Sequence, residues 1–265
     1  METVALAYEE LGIENPVPLL IFHGFFASSR NWRKIAEKLS ASFHVFVLDL
    51  RNHGNSPQHE IMDYPSMTVD IIRFMDDHAL TTAHMLGHSM GGKIAMWLAL
   101  NYPGRVAKLV IVDIAPISYT HSFDKLIQAL IDLPLAEIDN RKQAELLLAN
   151  DIPELAYRQF LLQNLILTTE GYAWRINLEI FMRMATNIVA FPEINNLAAF
   201  LGETLFLAGA DSIYLTKQDT LRHFPNSKLV IINKAGHWIH VQQPEVFIEV
   251  VENFFKEGKN DPLLL

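Results

Sequence analysis

The sequence Gly87-His88-Ser89-Met90-Gly91-Gly92 follows an apolar stretch, Ala83–Leu86, and precedes a segment with the spacing of an amphipathic helix. This G-x-S-x-G pattern is typical of a sharp turn that lifts a serine hydroxyl clear of a β-sheet. The turn requires strained backbone angles at the serine and residues without a Cβ on either side, which Gly87 and Gly91 supply. We therefore expect a strand–turn–helix unit with Ser89 as the nucleophile. A glycine-rich dinucleotide-binding turn is the alternative, but Ser89 stands where that motif needs its second glycine.

The rest of the chain alternates between short apolar runs and segments with helical spacing. Five runs of strand length are apolar at successive positions: Leu19–Phe22, Phe43–Leu48, Leu109–Ile114, Leu205–Ala208 and Leu229–Ile232. Strands of this kind are covered on both faces, as in a parallel sheet. Helical spacing lies between them, for example at Trp32, Ile35 and Leu39. The pattern predicts an α/β fold with a mostly parallel wound sheet.

The alternation stops between residues 116 and 199, where apolar clusters such as Leu161, Leu162 and Leu165 indicate a mostly helical unit. We interpret residues 1–115 and 200–265 as the α/β core and residues 116–199 as a helical cap inserted into it. Most of the cap's apolar side chains are expected to form its own core and its contact with the sheet.

Composition excludes several classes of function. The 265 residues contain 21 Lys and Arg against 30 Asp and Glu, which gives a formal net charge of −9. Such an acidic chain would repel nucleic acid and anionic lipid, so we expect neither nucleic acid nor a membrane as a partner. Cysteine is absent, which excludes disulfides, thiolate metal ligands and iron–sulfur clusters. Glu9 and Glu10 stand near the N-terminus in place of a secretory signal, so we expect a cytoplasmic protein.

A serine nucleophile needs a base and an acid that orients the base. His237 fits the base, because it follows the apolar run Leu229–Ile232 and so belongs at the carboxyl edge of the sheet. Two carboxylates fit the acid: Asp113 closes one apolar run and Asp211 follows another. Both give the chain order Ser, Asp, His, and sequence order does not choose between them. No third ligand accompanies His237 and His240, so no metal and no cofactor are expected.

The oxyanion of such a reaction needs two donors. The first candidate is the N–H of Met90, directly after the serine, and the second is the N–H of Phe25, in a turn that contains Gly24. His23 is expected to brace that turn by hydrogen bonding. We also expect His23, Phe26 and Trp238 to line a substrate pocket.

Several blocks together resemble the α/β-hydrolase superfamily over essentially the full chain, and most closely its YbfF-type bacterial carboxylesterases. The matching blocks are His23–Phe26, Asp49–Pro57, Gly87–Lys93, Val112–Pro116 and Gly236–His240. The resemblance implies an α/β-hydrolase fold whose helical cap follows the sixth strand, and an acyl-ester hydrolase with Ser89 and His237 catalytic. It also implies Asp113 as the acid and Met90 and Phe25 as oxyanion donors.

One position departs from that family. The family commonly carries Gly-Asn-Ser after the seventh strand, whereas this chain has Gly209-Ala210-Asp211-Ser212, which restores the acid position of most other α/β-hydrolases. Asp113 is favoured because its whole surrounding block matches, and Asp211 stays the alternative with Ser212 as a supporting hydroxyl. Arg51 to Pro57 is interpreted as a rigid structural loop.

The function expected from these residues is that of a serine carboxylesterase that hydrolyses short- to medium-chain acyl esters through an acyl-enzyme. The same three residues would serve a thioesterase, a lactonase or a carbon–carbon bond hydrolase, because selectivity lies in the pocket. A non-catalytic ligand-binding or scaffold protein of the same fold is the alternative from another class. A small-molecule acyl ester is the partner that the esterase interpretation implies.

Overall fold

The computed structural model describes residues 2–215 and 222–257, and these contain one large sheet and one separate two-stranded sheet. The strands are β1 (Tyr8–Leu11), β2 (Pro18–Phe22), β3 (His44–Leu48), β4 (Ala83–His88), β5 (Val106–Val112), β6 (Leu165–Thr168), β7 (Gly171–Trp174), β8 (Thr204–Gly209) and β9 (Ser227–Ile232). The large sheet has the order β1-β3-β2-β4-β5-β8-β9. Only β1 pairs antiparallel, with β3. The predicted α/β fold with a mostly parallel wound sheet is confirmed.

Helices cover both faces of this sheet. The helices of the described residues are α1 (Arg33–Leu39), α2 (Tyr64–Asp77), α3 (Met90–Asn101), α4 (Asp124–Ile131), α5 (Arg141–Leu147), α6 (Leu155–Leu161), α7 (Leu178–Val189), α8 (Ile239–Gln242) and α9 (Pro244–Lys256). Helices α1 and α9 pack on one face, where Ile35 and Phe247 share a buried cluster with the strands. Helices α2 and α3 pack on the other face, where Ile71 and Ile94 belong to a second cluster. The central strands are therefore buried on both sides, as their continuous apolar sequences require.

Residues 116–199, called the insert below, lie between β5 and β8 and contain α4 to α7 and the hairpin of β6 and β7. The cap was predicted to follow the sixth strand, but the insert follows β5, the fifth strand of the described chain. Only one strand, β1, precedes the buried strand β2. The hairpin is a second difference from the predicted helical unit. Leu165 begins β6 instead of continuing a helix, and the chain reverses at Gly171, whose φ of +118° glycine adopts without strain.

The insert packs on the sheet through the same apolar cluster that α2 and α3 share. Ile127, Leu130 and Phe181 are fully buried and belong to that cluster. Burial of this kind contributes roughly 1.5–3 kcal/mol for each large apolar side chain, so the insert is held chiefly by apolar contact. No helix in the described part of the chain is both long and apolar enough to cross a membrane.

The loop after β3 is held by a buried ion pair. Arg51 is fully buried, and its Nε and Nη2 donate to the two carboxylate oxygens of Asp70 on α2 at 2.6 and 2.8 Å. Ser56 in the same loop donates its hydroxyl to the carbonyl of Asp49. These bonds fasten the loop to the neighbouring helix, which agrees with a structural rather than a chemical role.

The start of α3 lies in direct contact with the backbone of two strands. A Cβ added at Gly91 would stand 2.3 Å from the carbonyl oxygen of Phe22 in β2, and one added at Gly87 would stand 2.3 Å from the carbonyl oxygen of Gly91. Contacts this short would force the backbone to move. Glycine is therefore required at both positions by close approach.

We expect Gly91→Ala to lower the free energy of unfolding by about 3 kcal/mol, because the methyl group meets backbone rather than a flexible side chain. Gly104→Ala is the matched control, since a Cβ there has nothing within 4 Å. Urea unfolding followed by circular dichroism measures both variants. Equal stability of the two would contradict the close approach described at α3.

Candidate active site

Ser89 occupies the turn between β4 and α3. Its φ of 53° and ψ of −119° are values that residues with a Cβ adopt only under strain. The Ser89 N–H donates to the Val112 carbonyl at 3.2 Å, which holds the turn against the end of β5. The turn places the Ser89 side chain at the carboxyl edge of the sheet, partly exposed and at the N-terminus of a helix.

A cavity of about 350 Å³ lies over this edge, between the core and the insert. Ser89 and His237 both line it, as do the predicted pocket residues Phe26 and Trp238. The remaining wall is mostly aromatic and aliphatic and includes Phe25, Met90, Ile114, Tyr119, Phe123, Tyr157, Phe160, Ile188 and Val189. Such a wall suits an apolar group next to a few polar atoms.

Asp113 stands behind His237 at the end of β5 and is fully buried. Its Oδ2 lies 2.8 Å from Nδ1 of His237 and also accepts a hydrogen bond from the Ser212 hydroxyl. Its Oδ1 accepts from the Gly209 N–H at 3.1 Å. The φ of Asp113 is 52°, and its N–H donates to the Leu207 carbonyl at 2.8 Å, so the backbone is held in a strained turn that aims the carboxylate.

Asp211, the alternative acid, lies elsewhere. Its side chain is exposed, and its N–H donates to the Ala235 carbonyl at 2.9 Å. Within residues 2–215 and 222–257, the His237 ring forms a hydrogen bond with Asp113 and none with Asp211. The geometry therefore brings Asp113, and not Asp211, to the imidazole, and Ser212 supports Asp113.

The contact with Asp113 sets the state of the His237 ring. Because a carboxylate accepts at Nδ1, that nitrogen carries the proton and Nε2 keeps a free lone pair. Within the described chain no hydrogen bond joins the Ser89 hydroxyl to His237, although both line the cavity. Bonds of this type are often long in unliganded sites and shorten when substrate binds.

The histidines around His237 are buried and neutral. Burial lowers the pKa of His88 well below its usual value, with a further contribution from the adjacent His237, and lowers the pKa of His240 to about 3. His88 Nε2–H donates to the His237 carbonyl at 2.9 Å, and the His240 ring stacks on Trp32 with 4.2 Å between centroids. These rings position the loop of His237 without adding a positive charge beside it.

The turn after β2 approaches Ser89 closely. A Cβ added at Gly24 would lie 3.3 Å from the Ser89 Cβ, and the Ala27 N–H closes the turn on the Gly24 carbonyl at 3.2 Å. Phe25, next in the turn, lines the cavity. The Met90 N–H is the first in α3 and has no partner within the helix. Phe25 and Met90, whose N–H groups are the predicted donors, therefore both line the cavity that contains the serine.

His23 occupies a different place from the one predicted for a pocket residue. It is fully buried and is not part of the cavity wall. Its Nδ1–H donates to the Gly24 carbonyl at 2.8 Å and its Nε2 accepts from the Leu50 N–H at 3.0 Å. Burial lowers the pKa of His23 to about 4. His23 therefore braces the turn, and its membership of the substrate pocket is a corrected prediction: both ring nitrogens are used by backbone.

Several residues of the cavity wall were not predicted from the sequence. Tyr214 lies with its ring 4.5 Å from the His237 ring, and the Tyr119 hydroxyl donates to the Tyr214 carbonyl and accepts from the Ala115 N–H. Lys93, one turn into α3, also lines the cavity. The only sequence feature that could have indicated Lys93 as a wall residue is its position one turn after the serine. No group of metal-ligating side chains occurs in the described residues.

The sequence matches a family model described as alpha/beta hydrolase fold over residues 17–244. It is 35% identical over 252 residues to the sn-1-specific diacylglycerol lipase ABHD11 of Xenopus laevis, with 91% of this chain and 80% of that protein covered. It is 31% identical over 247 residues to the esterase YbfF of Escherichia coli strain K12, with 92% of this chain and 94% of that protein covered.

Among solved structures, a marine microorganism esterase superposes with a TM-score of 0.91 and 36% sequence identity, covering 95% of this chain and all of that one. The family match spans more than half of the chain, and the two sequence relatives exceed 30% identity over most of their lengths. The chain belongs to the alpha/beta hydrolase fold family.

Proposed function

We propose that this protein is a serine carboxylesterase that hydrolyses short- to medium-chain acyl esters through a Ser89–His237–Asp113 triad and an acyl-enzyme. The observation that carries the proposal is the shared cavity of Ser89 and His237, with the His237 Nδ1 held 2.8 Å from a buried carboxylate of Asp113. The names of the relatives, esterase and lipase, support ester bonds as the target.

Acylation begins when an ester carbonyl lies beside the Ser89 hydroxyl. The Nε2 lone pair of His237 takes the hydroxyl proton while Oγ bonds to the carbonyl carbon. The carbonyl oxygen becomes an oxyanion, which the N–H groups of Phe25 and Met90 stabilise. Asp113 stabilises the imidazolium that forms. His237 then gives its proton to the departing alcohol as the carbon–oxygen bond breaks, which leaves the acyl group on Ser89.

Deacylation repeats these steps with water. His237 takes a proton from the water, the hydroxide oxygen bonds to the acyl carbon, and the same two N–H groups hold the second oxyanion. The proton returns to Ser89 Oγ as the carboxylic acid leaves. The neutral state of His88 and His240 suits this cycle, because a cation beside His237 would oppose its protonation.

Ser89→Ala is expected to lower kcat for p-nitrophenyl butyrate by about 10⁴- to 10⁶-fold, because the variant lacks the hydroxyl that forms the acyl-enzyme. Spectrophotometric assays of p-nitrophenol release at high enzyme concentration measure the residual rate of the variant. Labelling with a fluorophosphonate, followed by peptide mass spectrometry, should place the label on Ser89. Hydrolysis that survives in the variant would contradict the mechanism, and a wild-type protein that neither labels nor turns over would favour the scaffold alternative.

Asp113→Asn is expected to lower kcat by about 10⁴-fold, because the amide no longer favours the required tautomer or the imidazolium. Asp211→Asn is the matched control at the rival position, and its exposed side chain predicts a change within about threefold. Both variants are compared by kcat on one ester and by thermal unfolding. If only Asp211→Asn loses activity, the assignment of the acid is wrong.

The cavity volume sets an expectation for acyl-chain length. In a cavity of about 350 Å³, added methylenes gain apolar contact until the wall is reached. We expect kcat/KM for p-nitrophenyl esters to rise from acetate to about octanoate and to fall by about tenfold or more at palmitate. Equal rates from acetate to palmitate, or a preference for long-chain diacylglycerol, would contradict the chain-length proposal while leaving the triad in place.

A further inference from the structure

The last turn of α7, in the insert, is fastened to two helices of the core. Helix ends leave carbonyl groups without partners inside the helix. Here the Ile188 carbonyl accepts from the Tyr64 hydroxyl at 2.5 Å, and the carbonyls of Val189 and Ala190 both accept from the Lys93 ammonium at 2.8 Å. Tyr64 lies on α2 and Lys93 on α3, so two core helices hold the same end of one insert helix.

Lys93 is buried, with 2% of its surface exposed, and its ammonium is held by carbonyl oxygens and by an aromatic face. Nζ lies 4.8 Å from the centroid of the Tyr119 ring. The carboxyl end of a helix carries partial negative charge, which an ammonium at that end stabilises. Desolvation by burial lowers the pKa of Lys93 to about 7, whereas the carbonyl oxygens that accept hydrogen bonds from Nζ favour its charged form.

The same lysine is linked to the nucleophile. Lys93 stands one turn after Ser89 on α3, and its N–H donates to the Ser89 carbonyl at 3.0 Å. Ile188 and Val189, whose carbonyls are fastened to the core, line the cavity that contains Ser89. One side chain therefore joins the helix that begins at the candidate nucleophile to a wall that the insert contributes.

We propose that Lys93 is a positioning residue that fixes the carboxyl end of α7 against α3 and thereby sets the length of acyl group that the cavity accepts. The link between the helices stands on its own geometry, whereas its effect on acyl length rests on the proposed function. Without the ammonium, the Val189 and Ala190 carbonyls lose charge-assisted donors in a buried place, which favours opening of the last turn of α7.

The link is tested without any activity by hydrogen–deuterium exchange of Lys93→Met, which leaves an unbranched side chain one atom shorter and removes its donors. Exchange of amides in residues 186–190 should rise about tenfold or more relative to the wild-type protein, since both hydrogen bonds from the ammonium to the end of α7 are lost. Amides in residues 94–100 of α3 should not change. Lys125→Met, an exposed lysine on α4 of the insert, is the matched control. Unchanged exchange at 186–190 in Lys93→Met would overturn the link.

The consequence for acyl length is tested with p-nitrophenyl acetate and octanoate. Lys93→Met should lower the octanoate-to-acetate ratio of kcat/KM by about tenfold, mainly through KM for octanoate, because only the longer chain reaches the displaced wall. Equal losses on both esters would overturn the positioning role, because they indicate damage at Ser89 instead. If the wild-type protein hydrolyses neither ester, the proposed function fails, and the exchange measurement still decides whether Lys93 holds α7.

Tyr64→Phe provides a second variant if Lys93→Met does not fold. It removes a single hydroxyl from the same anchor while keeping the buried ring. Exchange at residues 186–190 should rise in the same direction but less than in the lysine variant, and the octanoate-to-acetate ratio should fall. A folded Tyr64→Phe protein with wild-type exchange at these residues would overturn the shared anchor.

Discussion

The contact between the start of α3 and the strands β2 and β4 is the constraint on which the site depends. Gly87 and Gly91 let helix and strand backbones meet at distances that a Cβ would forbid. The meeting leaves Ser89 at a φ of 53°, a strained value that the surrounding strands maintain. The serine hydroxyl is therefore held at the sheet edge by backbone packing, before any ligand arrives.

A second strained residue completes the polar part of the site. Asp113 also has a positive φ, and its carboxylate accepts hydrogen bonds from Ser212, Gly209 and His237. A buried carboxylate without such donors would cost several kcal/mol, so these bonds make its burial tolerable. The surrounding histidines His88 and His240 are neutral, so neither adds a positive charge beside the His237–Asp113 contact.

The fold could be predicted where the sequence pattern depends on local burial. Strands β2 to β5 and β8 appear as continuous apolar runs because helices cover both of their faces. The edge strand β1 was not predicted, because Glu9 and Glu10 break the apolar run that marks the buried strands, and an edge strand tolerates such charges. The hairpin of β6 and β7 was missed for another reason: Leu165 extends an apolar cluster that is compatible with either a helix or a strand.

The sequence by itself determined that a serine stands on a tight strand-to-helix turn and that a histidine follows the last strand, since both depend on short, local patterns. It left two carboxylates open, because Asp113 and Asp211 each follow an apolar run. Only the tertiary structure decided between their positions, by burying Asp113 at 2.8 Å from the imidazole and exposing Asp211. The roles of His23 and Lys93 were also decided there, because a side chain's partners depend on contacts between distant segments that no local pattern encodes.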